Sequence, residues 1–354
     1  MTESDDKVRA RRRKPHRLLA GVVVVLLIVT AGAGWFVIDQ RRALDAPLNL
    51  PRGGFDYVLP AGASLNQVAQ DLAASGLLAN PRSLVMYARW HGRAGGIKAG
   101  EYRIKTGTTA ITLLDQLIAG RVVQHTLTLV EGWTFKQMMA AIAVDDRLEH
   151  TLTGLAEDAI MARLGLPGQH PEGRFFADTY HFPRGTSDVA FLRRAHAAMA
   201  DFLAAAWAGR QPNLPLKSPQ EALILASIVE KETGQAGERP RIAGVFVERL
   251  RKGMRLETDP TVIYGMGDAF DGNLRRRDLR ADTPYNTYVH KGLPPTPIAI
   301  PSAAAIRAVL HPRVDGALFF VAKGDGSHQF STTYEEHQQA VDRYQKHRRR
   351  SSGG

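Results

Sequence analysis

Residues Ser218 to Gly234, SPQEALILASIVEKETG, decide how the chain is read. Ser218 followed by Glu221 has the form of a capping box, and Pro219 falls at the first helical position, where its missing N–H is no loss. Gly234 is the expected stop. At 100° per residue, Ile224, Leu225, Ile228 and Val229 share one arc. Glu232 falls near the middle of that arc, whereas Glu230 points nearly the opposite way, beside Ala226 and Ser227. One carboxylate is therefore expected to face the protein in the helix's last turn. Burial disfavours its ionised form, and so does the negative end of the helix dipole. The raised pKa that follows is what a general acid needs near neutral pH. The plainer alternative is a half-exposed glutamate at a helix end, paired with an arginine.

Downstream of Gly253 the chain turns irregular, rich in Asp, Thr, Tyr, Gly and Pro as far as Pro301. Ala317 to Ala322 (ALFFVA) is strand-like, Gly324-Asp325-Gly326 is a turn signal, and His337 to His347 reads as a closing helix. Upstream, Arg193 to Trp207 is an Ala-rich helix, with Pro212 and Pro215 after it. Further back, one pattern recurs: a strand-like run, a Gly, a hydroxyl residue and a short amphipathic helix. Its copies start at Tyr57, Tyr102 and Leu127, with Ser64, Thr108 and Thr134 as the expected N-caps. Residues 39–54, punctuated by Pro47, Pro51, Gly53 and Gly54, read as a linker.

At the N-terminus, Leu18 to Ile38 is a run of 21 residues without a charge, LLAGVVVVLLIVTAGAGWFVI. About 20 apolar residues cross the ~30 Å hydrocarbon layer as a helix. Trp35 and Phe36 stand near one end, where aromatic rings favour the interface. Seven basic residues precede the run, and Arg41 and Arg42 follow it. That bias keeps the N-terminus in the cytoplasm and exports the rest of the chain. The alternative is a cleaved signal peptide with Ala31-Gly32-Ala33 at the cleavage site, but the apolar run exceeds the ~7–15 residues of such a region.

The 354 residues allow two or three domains, and 44% hydrophobic with 23% charged residues is an ordinary globular composition. Absence of cysteine excludes disulfides, thiol catalysis and Cys-ligated zinc. The histidines lack metal-ligand spacing such as His-Glu-x-x-His, so neither a metal nor another cofactor is implied. Much of the net charge of +11 lies at the two ends, including Lys346 to Arg350. Beside an apolar run this suits lipid or polymer contact rather than nucleic acid.

The helix and its flanks resemble the YceG-like endolytic murein transglycosylases, the MltG family. The residues that carry the likeness are Ala226 to Thr233 (ASIVEKET), Val245 to Leu250 (VFVERL) and Gly253 to Gly265 (GMRLETDPTVIYG). Tyr285 to Tyr288 (YNTY), Gly292 to Ile298 (GLPPTPI), Lys98 to Tyr102 (KAGEY) and Glu172 to Tyr180 (EGRFFADTY) extend it, with Ala177 where a Pro is expected. The resemblance spans about residues 55 to 345.

It implies an enzyme, a lyase that cleaves MurNAc–GlcNAc bonds within peptidoglycan strands and leaves 1,6-anhydro ends, with Glu232 as the catalytic acid and base. It also implies an α+β architecture: a cytoplasmic basic arm (1–17), a single transmembrane helix (18–38), the linker, a LysM-like module (55–125), a helix-rich catalytic domain (126–345) and a basic tail (346–354). The enzyme would sit in the cytoplasmic membrane with its catalytic domain outside, terminating or releasing nascent strands beside peptidoglycan synthases such as penicillin-binding proteins. Thr258, Asp259, Tyr264, Tyr285 and Asn286 are the candidates for holding the sugar. A muramidase-type hydrolase with Asp259 or Glu257 as second carboxylate, and a non-catalytic glycan-binding division protein, are the competing readings.

Overall fold

The computed structural model describes residues 15–346. The basic arm as far as Lys14 and the tail from His347 lie outside the described residues. The chain divides after Val123 into two compact units.

The first unit begins with α1 (Pro15–Asp45), which carries the uncharged run. Among the described residues it is the one helix long and apolar enough to cross a membrane, and its apolar stretch from Ala20 is exposed. Then come β1 (Phe55–Leu59), α2 (Leu65–Ala74), α3 (Pro81–Trp90), β2 (Gly100–Ile104) and α4 (Ala110–Ala119). β1 and β2 pair antiparallel with Tyr57 opposite Tyr102. Beneath them Val68, Leu72, Leu84, Ile104, Leu113 and Leu117 form a sealed core, each large side chain contributing about 1.5–3 kcal/mol by leaving water.

Ser64 caps α2 as expected, but α4 is capped by Thr109, not Thr108. The two adjacent threonines leave the register open to the sequence, and the apolar face set by Leu113, Leu114 and Leu117 decides it. The stretch 39–54 is not a free linker. α1 runs on to Asp45, and Leu44 and Leu48 are buried in the unit's core. Their two apolar side chains outweigh the Pro and Gly signals around them.

The second unit contains β3 (His125–Thr128), α5 (Phe135–Ala143), β4 (Leu148–Glu149), α6 (Glu157–Leu164), β5 (Thr179–Phe182), β6 (Thr186–Ser187) and the long α7 (Asp188–Ala208). It continues with α8 (Pro219–Glu232), α9 (Arg239–Arg251), α10 (Asp259–Met266), α11 (Ala303–Leu310), β7 (Phe319–Ala322), β8 (His328–Ser331) and α12 (Tyr334–Val341). Its strands are short and pair two by two: β3 with β5 and β7 with β8 antiparallel, β4 with β6 parallel. Helices therefore carry the unit. The closing helix starts at Tyr334, earlier than His337, because Thr333 and Glu336 form a capping box there.

α8 lies at the centre of the second unit. Every residue from Ala222 to Val229 is buried, because α7, α9, α10 and α11 surround it. Gly244 in α9 explains one of the close approaches. A Cβ there would stand 2.1 Å from the carbonyl oxygen of Arg313, so only glycine lets that strand of backbone lie against the helix.

Candidate active site

The site grows from the two ends of α8. At its start Ser218 Oγ accepts from the Glu221 N–H, while the Glu221 carboxylate accepts from Lys217 N–H at 2.6 Å, one residue outside the expected capping box. At its end the helix stops at Glu232, with Thr233 extended. Gly234 does not adopt the left-handed conformation expected of a stop. The helix ends because Glu232 and Thr233 are drawn into contacts of their own.

Glu232 is the last helical residue, and its carboxylate accepts a hydrogen bond from Thr258 Oγ1. Thr258 stands at the N-cap of α10 yet makes no capping bond with its side chain; the hydroxyl is turned to Glu232 instead. A buried hydroxyl network fixes it there. Thr258 N–H donates to Thr287 Oγ1 at 3.1 Å, and Thr261 Oγ1 donates to the Thr258 carbonyl at 2.7 Å while bonding Thr287 Oγ1 at 2.9 Å. The preceding residue, Glu257, has φ of 51°, a left-handed backbone that costs a non-glycine residue about 1–2 kcal/mol. Arg249 pairs with its carboxylate at 3.1 Å, and its N–H donates to the Thr287 carbonyl.

Burial pushes the pKa of Glu232 up to about 7. The Thr258 hydrogen bond opposes that shift, the negative charge of Asp259 adds to it, and His328 and Arg249 pull it down. The carboxyl group opens on a cleft of about 380 Å³ in the second unit, which Asp259, Tyr288 and His328 also line. Tyr288 donates to Asp259 at 2.6 Å, and His328 Nδ1 lies 2.7 Å from Glu238. Phe319 and Phe320 of β7 supply apolar wall. The result is a protonatable carboxyl with a fixed hydroxyl partner, a second carboxylate and aromatic surface, all facing one open space.

The structure separates the other sequence candidates. Thr258 and Asp259 stand with Glu232. Tyr264, Tyr285 and Asn286 are not among the residues lining the cleft. Asn286 is buried and ties its own loop, donating to the carbonyls of Asp278 and Ala281 and accepting from Tyr288 N–H. Tyr285 bonds Thr296 at 2.8 Å, and its ring packs edge-on against Tyr264. Tyr264 in turn donates to Glu172 at 3.1 Å. Tyr288, His328 and Arg249 belong to the cleft but were not singled out from sequence. Tyr288 stands in the quoted YNTY motif, whereas nothing local to His328 marks it.

Glu172 is a second unusual carboxyl. Only 2% exposed, it accepts from Phe135 N–H at 2.9 and 3.1 Å, so it caps the start of α5. Burial pushes its pKa to about 7 against the pull of those donors. The neighbouring Gly173 has φ of +74°, and a Cβ there would meet Pro297 at 2.6 Å. Glu230, the other acid of α8, is also sheltered, its side chain 8% exposed. It accepts from Ser302 N–H and Oγ at the N-cap of α11 and lies 3.5 Å from Arg239.

Fold and cleft together define an α+β protein built around a protonatable carboxyl group at a helix end. The YceG-like family model matches residues 57–343, and the chain belongs to that family. Over 303 residues it is 29% identical to a Bacillus subtilis (strain 168) protein named endolytic murein transglycosylase, covering 81% of this chain and 83% of that one. A Streptococcus pneumoniae (serotype 2, strain D39) protein of the same name is 26% identical over 90% of this chain and 63% of its own length. A solved structure of a YceG-like protein from Listeria monocytogenes shares 27% identity, covering 82% of this chain and 99% of that one, with a TM-score of 0.49.

Proposed function

We propose that the chain is an endolytic peptidoglycan lytic transglycosylase and that Glu232 is its catalytic acid and base. The observation that carries this reading is the carboxyl of Glu232, raised to about 7 and facing an open cleft, in a chain of the YceG-like family whose relatives bear that enzyme name.

The reaction suits one such group. Ordinary glycosidases need a second carboxylate, as nucleophile or to activate water. Here Glu232 gives its proton to the leaving oxygen of the MurNAc–GlcNAc bond. The 6-hydroxyl of the same MurNAc then closes on its anomeric carbon and returns a proton to Glu232. One C–O bond breaks, one forms, no water is consumed, and the carboxyl ends as it began. Thr258 aims the carboxyl. Asp259, held by Tyr288, is a positioning group for sugar hydroxyls or N-acetyl groups. Tyr264, Tyr285 and Asn286 act at one remove, by shaping the loops.

The rest of the layout follows the same reading. α1 is a single-pass anchor in the cytoplasmic membrane with the N-terminus inside. Residues 55–125 are a LysM-like glycan-binding module, residues 126–345 the catalytic domain, and the basic arm and tail flank them. Release of strands beside peptidoglycan synthases is the biological role. Product mass tests the activity. Anhydro-ended fragments are expected. Fragments heavier by one water would instead mean a muramidase with Asp259 or Glu257 as second carboxylate, and intact strands a binding protein.

A further inference from the structure

α3 has a face that the first unit leaves uncovered. Ser83, Leu84 and Ala88 are buried, while Arg82, Met86, Arg89 and Trp90 are exposed. At 100° per residue those four fall within an arc of about 100°. Trp90 is 77% exposed, a large ring in water beside a methionine and two arginines. Neither Arg82 nor Arg89 forms an ion pair among the described residues. Tryptophan favours the membrane–water interface and arginine reaches to it by snorkelling, so this exposed set suits a lipid–water boundary.

The position of α3 along α1 says which boundary. Gln40 Oε1 accepts hydrogen bonds from Ser83 Oγ and Asn80 Nδ2, at the start of α3. The other end of α3 turns back along α1. Met86, Tyr87, Trp90 and His91 line one groove of about 190 Å³ with Phe36 and Val37. Phe36 and Val37 belong to the uncharged run that ends at Ile38. At 1.5 Å per residue they lie within the last ~5 Å of a run about 31 Å long, matched to a ~30 Å hydrocarbon layer. Whatever surrounds Phe36 therefore also meets Trp90.

We infer that the exposed face of α3 rests in the outer leaflet of the membrane, with Met86 and Trp90 at the acyl boundary and Arg82, Arg89 and Arg41 among anionic phospholipid headgroups. The inference rests on α1 being the membrane anchor. The occupant of the groove is lipid because the groove is continuous with the span's own apolar surface and is rimmed by arginine. Basic side chains are drawn to anionic headgroups within a Debye length, which biases the unit's orientation. The first unit would then be held flat at the membrane, presenting its other surfaces to the wall.

The chain has no cysteine, so a single thiol can be introduced at will. Full-length Met86→Cys, carrying an environment-sensitive fluorophore, is placed in phosphatidylethanolamine–phosphatidylglycerol vesicles; Ile28→Cys, in the middle of the span, is labelled in parallel. The Met86 probe is expected to emit at shorter wavelength than in denaturant. It should lose most of its emission to lipids spin-labelled near the headgroup and resist aqueous iodide. A Met86 probe that iodide quenches and lipid does not, beside an Ile28 probe that lipid quenches, overturns the inference and leaves the anchor standing. If neither probe is quenched by lipid, the anchor reading falls and this inference with it.

Discussion

Glu232 and Glu172 share a residue type, a pKa pushed by burial to about 7 and a hydroxyl partner, Thr258 in one case and Tyr264 in the other. They differ in what they face. Glu172 is enclosed and satisfied by the first N–H of α5, while Glu232 opens on the cleft. A raised pKa is shared by structural and functional acids, so access to a substrate is what separates them. On the proposed mechanism Glu232 does the chemistry, while Glu172 holds the start of α5.

The largest break in that symmetry should come from Glu232→Gln. It keeps the shape and most hydrogen bonding but removes the transferable proton, so cleavage of glycan strands should fall about 10²–10⁴-fold. Its melting temperature should not fall, and should rise somewhat above pH 7, where the parent buries an ionised acid.

Glu172→Ala should do the reverse. It strands the Phe135 N–H and the Tyr264 hydroxyl and opens a cavity, which together cost about 2–4 kcal/mol, read as a lower denaturation midpoint. Activity per folded molecule should hold. Glu172 also makes stability depend on pH. Its folded pKa of about 7 exceeds the ordinary value of 4.5, so the folded chain holds the proton more tightly. Stability is then fullest below pH ~4.5 and falls as pH rises to about 7, by roughly 3 kcal/mol at 1.36 kcal/mol per unit. Glu172→Gln should remove that share of the slope and leave the share of Glu232, whose pKa is raised alike.

Glu230→Gln sharpens the contrast within one helix. One amide oxygen can still accept from Ser302, but Arg239 loses its compensating charge, so stability should drop by about 1–3 kcal/mol with cleavage changed little. Smallest is Asp259→Asn. It removes a negative charge that raises the pKa of Glu232, so the alkaline fall of activity should move to lower pH while anhydro ends continue to form. A collapse as deep as that of Glu232→Gln would instead make Asp259 a second catalytic carboxylate.

The sequence makes α8 legible because Ser218, Pro219 and an unbroken apolar stretch are local signals. Its facing is less so. Periodicity separates Glu230 from Glu232 by angle, but α8 is enclosed on every side, so both acids end up sheltered. What distinguishes them are partners far along the chain: Ser302 and Arg239 for one, Thr258 for the other. The repeat of strand, glycine and capped helix marks the first unit's elements, whereas the pairing of β3 with β5 rather than with a neighbouring copy depends on residues that no spacing links. β7 is legible as a strand before a glycine turn, but its place in the cleft wall, with His328 of β8, is not. Long-range packing builds it.

The pH dependence of glycan cleavage tests the assignment most directly, because both acids titrate near 7 but only one should govern the rate. In the proposed mechanism Glu232 carries its proton at the start, so kcat/KM for anhydro-ended product should be level in mildly acid solution and decline tenfold per pH unit above about 7. The same limb should persist in Glu172→Gln. A profile that stays flat through pH 9, or a limb that disappears when Glu172 rather than Glu232 is neutralised, would contradict the account.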